Sequence, residues 1–132
     1  MIKKITALFL ILLLCISIVL IIDDHKHNSV IPEGIYIGFL HIGGLTWEQA
    51  EDRLREFSEK ILQSNITLTY EDHNWSIALT ELLEIDTNES LEKIAAYTQG
   101  RNNIIKRYIL RQQLKKNPLT VSPVINFKED IL

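Results

Sequence analysis

The chain opens with an apolar stretch that is bounded on both sides by charge. Two lysines, Lys3 and Lys4, precede the 18 uncharged residues 5–22, and two aspartates, Asp23 and Asp24, follow them. At a rise of about 1.5 Å per residue, a helix over this stretch is roughly 27 Å long, close to the hydrocarbon thickness of a bilayer. The pattern therefore predicts a membrane-spanning helix.

We interpret residues 1–24 as an uncleaved signal anchor. Secretory signal cores are shorter, about 7–15 residues, and end at a small-x-small cleavage site, whereas this stretch ends Val-Leu-Ile-Ile-Asp-Asp. The basic flank is expected to stay in the cytoplasm. The sequence thus predicts a single-pass protein of the cell membrane, with the amino terminus cytoplasmic and the carboxyl-terminal domain extracellular.

Polar residues without periodicity follow the anchor. Residues 25–32 end in a proline and are interpreted as a tether, and the folded domain is expected over residues 33–132. Residues 34–42 are rich in β-formers and predict a strand that can bend at Gly38. Thr46 and Gln49 have the spacing of a capping box, so a helix is expected to begin there.

The apolar period then changes from helical to alternating. Steps of three and four predict one apolar helix stripe formed by Trp47, Ala50, Leu54, Phe57 and Ile61. Strict alternation over 66–70 and 75–79 predicts a hairpin with enough apolar surface on one face to need a covering helix. That face carries Ile66, Leu68, Tyr70, Trp75, Ile77 and Leu79.

The rest of the chain predicts two more helices and a last strand. A single turn is expected over 80–83, a helix over about 88–98 closed by Gly100, a helix over about 103–116 ended by Asn117-Pro118, and an extended segment over 119–127. The predicted fold class is α+β: an amino-terminal transmembrane helix, then a small mixed domain in which about three helices pack on an antiparallel hairpin.

Charge limits the classes of partner. Residues 23–132 contain 12 basic and 17 acidic residues, which argues against nucleic-acid binding. The distribution is uneven, because residues 101–116 hold six bases and no acid. The only cysteine, Cys15, lies inside the apolar stretch and is interpreted as membrane-helix filler.

Catalytic patterns are weak in this sequence. A cysteine nucleophile would need a nearby histidine, and Cys15 is placed within the bilayer. No Gly-x-Ser-x-Gly elbow occurs in the sequence. His25 and His27 beside the two aspartates offer metal-ligand types, but a tether rarely holds a closed geometry. We predict a protein that is not an enzyme and has no metal or cofactor.

The basic helix is the candidate binding element. Arg107, Arg111 and Lys115 are spaced by four and form one row between two apolar strips, and Arg101 precedes the helix. These four cations are the predicted ligand-binding residues, since arginine makes forked contacts with carboxylates and phosphates. The alternative is a structural role, in which they complement the helix dipole or pair with the acidic helix that starts near Thr46.

Both tryptophans fall on the apolar phase of their elements. Trp47 and Trp75 have ring faces suited to stacking on sugars, but their phase favours packing in the core for each.

Several short segments together resemble a known family. They are GIYIG at 34–38, IGGLT at 42–46 followed by Gln49-Ala50, WSI at 75–77, and GRNN at 100–103 ahead of the basic helix. This order is similar to the peptidoglycan-binding module that precedes L,D-transpeptidase and vancomycin-resistance-W-type domains in Gram-positive bacteria. The resemblance covers residues 32–132. Because no catalytic domain follows Leu132, we expect a stand-alone or truncated member.

The resemblance implies a function in the cell envelope. We expect a membrane-anchored, extracytoplasmic, non-catalytic module that contacts peptidoglycan or another cell-wall polymer. The alternative is an interaction or scaffold domain that docks a membrane or envelope protein.

Overall fold

The computed structural model describes residues 1–100 and 103–129. In this part of the chain the helices are α1 (Ile2–His27), α2 (Trp47–Leu62), α3 (Leu79–Leu82), α4 (Thr87–Gln99) and α5 (Ile104–Lys116). The strands are β1 (Ile35–Ile37), β2 (Leu40–His41), β3 (Asn65–Tyr70), β4 (His73–Ala78), β5 (Leu83–Asp86), β6 (Leu119–Val121) and β7 (Val124–Phe127). The predicted α+β class is confirmed.

Helix α1 is longer than the sequence predicts, and no flexible tether follows it. The helix continues to His27, and Ile31 is fully buried in the core. The Ile31 amide donates to the Leu45 carbonyl at 2.8 Å, and the Gly44 amide donates to the Ile31 carbonyl at 2.8 Å. The interpretation of residues 25–32 as a tether is therefore wrong, because an apolar side chain in this stretch is needed by the core.

The core forms where the first strands meet α2 and α4. The predicted strand is bent at Gly38 into β1 and β2, which pair antiparallel, and β6 pairs parallel with β1. The capping box of Thr46 and Gln49 is present, with both of its hydrogen bonds formed, and starts α2 as predicted. The largest fully buried apolar side chains are Ile31, Ile35, Ile37, Ile42, Leu54 and Ile94.

The predicted hairpin forms, but its second strand begins at His73 rather than at residue 75, and Leu79, expected on the apolar face, begins α3. The apolar face of the hairpin stays open. Leu68 lies opposite Trp75, and Ile66 lies opposite Ile77. Leu68 is 53% exposed and Trp75 is 49% exposed. Among residues 1–100 and 103–129 no helix covers this face, because the stripe of α2 packs on the core cluster.

The predicted last strand is divided in two. β6 joins the sheet of β1, whereas β7 pairs antiparallel with β5. The break falls at Ser122-Pro123, where proline lacks the amide that a continuous ladder would use. Ser90 of α4 supports the second part, since its buried hydroxyl accepts from the Val124 amide at 2.9 Å.

Helix α5 links the domain to α1. Asn103 caps its amino terminus by accepting from the Ile105 amide at 2.8 Å. Leu110 and Leu114 are buried against the core, while another side of the helix packs along the last turns of α1. This packing places the basic helix at the end of the long apolar helix.

Candidate functional site

A polar cleft of about 360 Å³ lies where α1 ends and meets α4 and α5. Most of its lining side chains are polar, and one large aromatic ring, that of Trp47, is among them. The lining residues are His27, Asn28, Val30, Pro32, Trp47, Thr98, Gln99, Arg107, Leu110 and Arg111. A concave site with a few convergent polar groups is the usual form of a binding site.

Arg107 forms a forked ion pair with Asp24 on one wall of the cleft. Its Nε donates to Asp24 Oδ1 at 2.8 Å, and its Nη2 donates to Asp24 Oδ2 at 2.7 Å. The hydrogen bond to Asp24 raises the pKa of Arg107 above its usual value, against the opposing effect of desolvation. Arg107 is therefore held in the charged form.

Arg111 makes the second ion pair and is nearly buried. Its Nη2 donates to Asp23 Oδ2 at 2.6 Å, and its Nη1 lies 3.5 Å from Asp24 Oδ1. Arg111 is only 8% exposed. We call Asp23, Asp24, Arg107 and Arg111 the anchor clamp, because they join the end of α1 to α5.

The anchor clamp contains two cations and two anions, so its formal charges cancel. The two arginines pair with the carboxylates at the end of the apolar helix. The sequence analysis had offered those of α2 as their intramolecular partners. The sequence did show two arginines spaced by four and, elsewhere in the chain, two adjacent aspartates. The paired residues are more than 80 positions apart in sequence. Separation of this size hides a pairing from local pattern analysis.

The three cations predicted to form one row, Arg107, Arg111 and Lys115, have different surroundings. Arg107 and Arg111 line the cleft, and Lys115 is exposed on the last turn of α5 outside its lining. Arg101 lies outside the described residues. The structure thus brings together two of the four predicted residues.

The histidines considered as metal ligands are placed differently from a coordination site. His27 Nδ1 lies 2.8 Å from the Asp23 carbonyl, within the helix. Across residues 1–100 and 103–129, no group of three or more His, Cys, Asp or Glu side chains is arranged to hold a metal ion.

The open face of the hairpin is a second surface, and the sequence analysis assigned its tryptophan to the core. Trp75 stacks on His73 with ring centroids 5.8 Å apart, and Tyr70 lies directly opposite His73 in the register. Ile66 and Leu68 continue the same face towards α3. The sequence offers few apolar helix faces, too few to cover both the core strands and this face of the hairpin.

Trp47 packs in the core, as its position on the apolar stripe of α2 predicts. It packs against the buried core cluster and also contributes to the lining of the cleft.

Comparisons with known proteins give no relative for this chain. No family model matches it, and neither the curated proteins nor the solved structures contain a match. The resemblance to the peptidoglycan-binding module thus stays a prediction.

Proposed function

We propose that this protein is a single-pass, membrane-anchored, non-catalytic envelope module whose cleft binds a segment of cell-wall polymer. The observation that carries the proposal is the cleft itself, which gathers two of the predicted binding arginines, amide side chains and an aromatic ring at the end of the apolar helix.

The apolar helix supports the membrane part of the proposal. Among the described residues, α1 is the one helix long and apolar enough to cross a membrane, and none of its apolar stretch is buried within the protein. A core helix of a soluble protein would be mostly buried. With Lys3 and Lys4 on the cytoplasmic side, the cleft opens outside the cell, beside the membrane surface.

The charge of the cleft favours a ligand rich in hydroxyl and amide groups. The two arginines already satisfy Asp23 and Asp24, so a phosphate-rich polymer would meet a locally neutral cluster. Asn28 and Gln99 are exposed at the cleft and offer amide donors and acceptors. Amino sugars and short peptides, the components of peptidoglycan, match these groups.

The lining also supports a role without catalysis. The Thr98 hydroxyl donates to the Ile94 carbonyl at 2.9 Å, and the nearby carboxylates are held in ion pairs. A hydroxyl nucleophile must give its proton to a general base, whereas the Thr98 proton is donated to a backbone carbonyl. The cleft is therefore proposed as a binding site only.

Sedimentation with insoluble peptidoglycan tests the proposal. The full chain, in detergent micelles, is spun with and without the polymer, alongside a Gln99→Trp variant that fills the cleft. Gln63→Trp is the matched control, since Gln63 is also an exposed glutamine at the end of a helix but lies far from the cleft lining.

The proposal predicts that the native chain and Gln63→Trp sediment with the polymer while Gln99→Trp stays in the supernatant. Equal sedimentation with and without peptidoglycan would reject polymer binding. Binding by all three proteins would reject the cleft as its site.

A second candidate function is docking of an envelope protein through the hairpin. The observation that favours it is the open aliphatic half of the hairpin face, where Ile66 and Leu68 are exposed. Among the described residues, no other strand pairs with the outer edges of this two-stranded sheet. Exposed apolar faces and free strand edges are common docking surfaces.

Site-specific photo-crosslinking in cells tests this second function. A photoreactive residue at Leu68 should give one discrete cross-linked protein, while the same residue at Thr67, on the opposite face, should not. Identical patterns from both positions, or none from Leu68, would reject docking through this face.

A further inference from the structure

Helix α5 has a second apolar face that the core does not use. Ile105 is 55% exposed and Ile109 is 47% exposed, and Tyr108 is partly exposed beside them. Leu110 and Leu114 are buried on the other side of the helix. A helix that is apolar on two sides needs a second apolar environment.

This exposed face lies beside the last turns of α1. Tyr108 forms a shallow apolar cleft with Cys15, Ile16, Val19 and Leu20. On the other side of the contact, Ile104 and Ile105 form a second apolar cleft with Ser17, Leu20 and Ile21. The exposed face of α5 is therefore continuous with the surface that α1 presents to lipid.

The contact fixes how deep α5 lies. Cys15 is eight residues before Asp23, which corresponds to about 12 Å along the helix axis. With Asp23 at the outer edge of the hydrocarbon, Tyr108 and Ile105 lie within the outer leaflet of the bilayer. Amphipathic helices at membrane surfaces bury their apolar face by a comparable depth, about 5–10 Å.

The charges of α5 fit the adjoining headgroup region. Arg111 is paired with Asp23 at the predicted membrane edge, and Lys115 and Lys116 follow it on the exposed last turn. The helix itself contains no acidic residue. Lysines at the border of an apolar face commonly reach lipid phosphates.

We propose that α5 is an interfacial helix, which inserts Ile105, Tyr108 and Ile109 into the outer leaflet of the membrane that α1 crosses. The anchor clamp and this insertion together hold the domain against the bilayer. The inference rests on the membrane-crossing part of the proposed function and is independent of polymer binding.

Accessibility of spin labels in vesicles tests this placement. The full chain is reconstituted in vesicles of phosphatidylcholine and phosphatidylglycerol, with one nitroxide at Ile105→Cys or Lys106→Cys in a Cys15→Ala background. These neighbouring positions are both exposed and lie about 100° apart around the helix. Collisions with oxygen, which concentrates in lipid, are compared with collisions with a water-soluble nickel complex.

A label at Cys15 of the native chain shows separately whether α1 lies in lipid, so that a wrong membrane assignment of α1 can be told from a wrong placement of α5. The expected result is a several-fold higher oxygen-to-nickel collision ratio at position 105 than at position 106, together with a lipid-exposed label at Cys15. A water-exposed label at 105 with Cys15 in lipid would overturn the interfacial placement alone. Low collision rates with both reagents at 105 would indicate a protein surface there and also overturn it, while a water-exposed Cys15 would overturn the anchor as well.

Discussion

Gly34 holds the first strand and the end of α5 together at a distance that no other residue permits. Its φ is +83°, and a Cβ built on it would lie 2.2 Å from the Leu114 carbonyl oxygen. The Gly34 carbonyl also accepts from the Leu119 amide at 2.8 Å, which sets the start of β6. A side chain here would push α5 away from the core.

Gly34→Ala should lower the free energy of unfolding by more than the cost of the backbone angle alone, which is about 1–2 kcal/mol. Gly38→Ala is the matched control, since its φ is +56° but its added Cβ would have only Pro123 nearby, at 3.9 Å. Chemical denaturation of both variants in detergent measures the difference. Equal losses would show that the close approach to Leu114 has no energetic weight.

The residue scale also shows where local pattern fails. The helical spacing of Arg107 and Arg111 was evident from the sequence, and so was the charge of Asp23 and Asp24. Their pairing was not, because it depends on α5 returning to the end of α1 across the whole domain. The sequence therefore predicts which side chains share a face, while their partners require the tertiary fold.

At the scale of elements, local patterns such as alternation and capping predict individual strands and helices, but they do not predict which element packs on which. The face that each hairpin side chain occupies follows from strict alternation, because a slip by one residue would reverse every side chain. The register does not follow, since a shift by two keeps the faces, and Tyr70 pairs with His73. The capping box fixes the start of α2. The open hairpin face and the division of β6 from β7 were not predicted, since both depend on which sheet the remaining helices and strands join.

The open hairpin predicts different solvent access for the two tryptophans. Iodide should quench the fluorescence of Trp75 strongly, because its ring is about half exposed, and that of Trp47 weakly, because it packs on the core. Quenching is measured on Trp47→Phe and Trp75→Phe variants, each of which keeps one tryptophan. Weak quenching of Trp75 in a monomeric sample would mean that another part of the chain covers the face.

At the scale of the whole molecule, the anchor clamp couples the apolar helix to the domain. Four side chains replace the flexible connection that the sequence analysis expected. Asp24 and Arg111 are mostly shielded from solvent, so their interactions are screened less than those of surface pairs. We infer that the orientation of the domain relative to α1 is fixed.

A double-mutant cycle on Arg111 and Asp23 should give a coupling energy of about 1.5–3 kcal/mol, typical of hydrogen bonds to charged groups. The cycle uses Arg111→Met and Asp23→Asn, with unfolding in detergent as the readout. Arg55 and Asp52 are the matched control, since they also form an ion pair but both are more than half exposed. Their coupling should be only about 0.2–1 kcal/mol. Similar coupling in both pairs would contradict a structural role for the anchor clamp.

Labelling with a membrane-impermeant maleimide in intact cells tests the central claim, which is that α1 crosses the membrane and holds the domain outside. Single cysteines are placed at Thr67, on the exposed hairpin, and at Lys3, in a Cys15→Ala background. The account predicts labelling of Thr67→Cys in intact cells and of Lys3→Cys only after lysis. Labelling of Lys3→Cys in intact cells with Thr67→Cys protected, or release of the Thr67→Cys chain as a soluble protein, would contradict it.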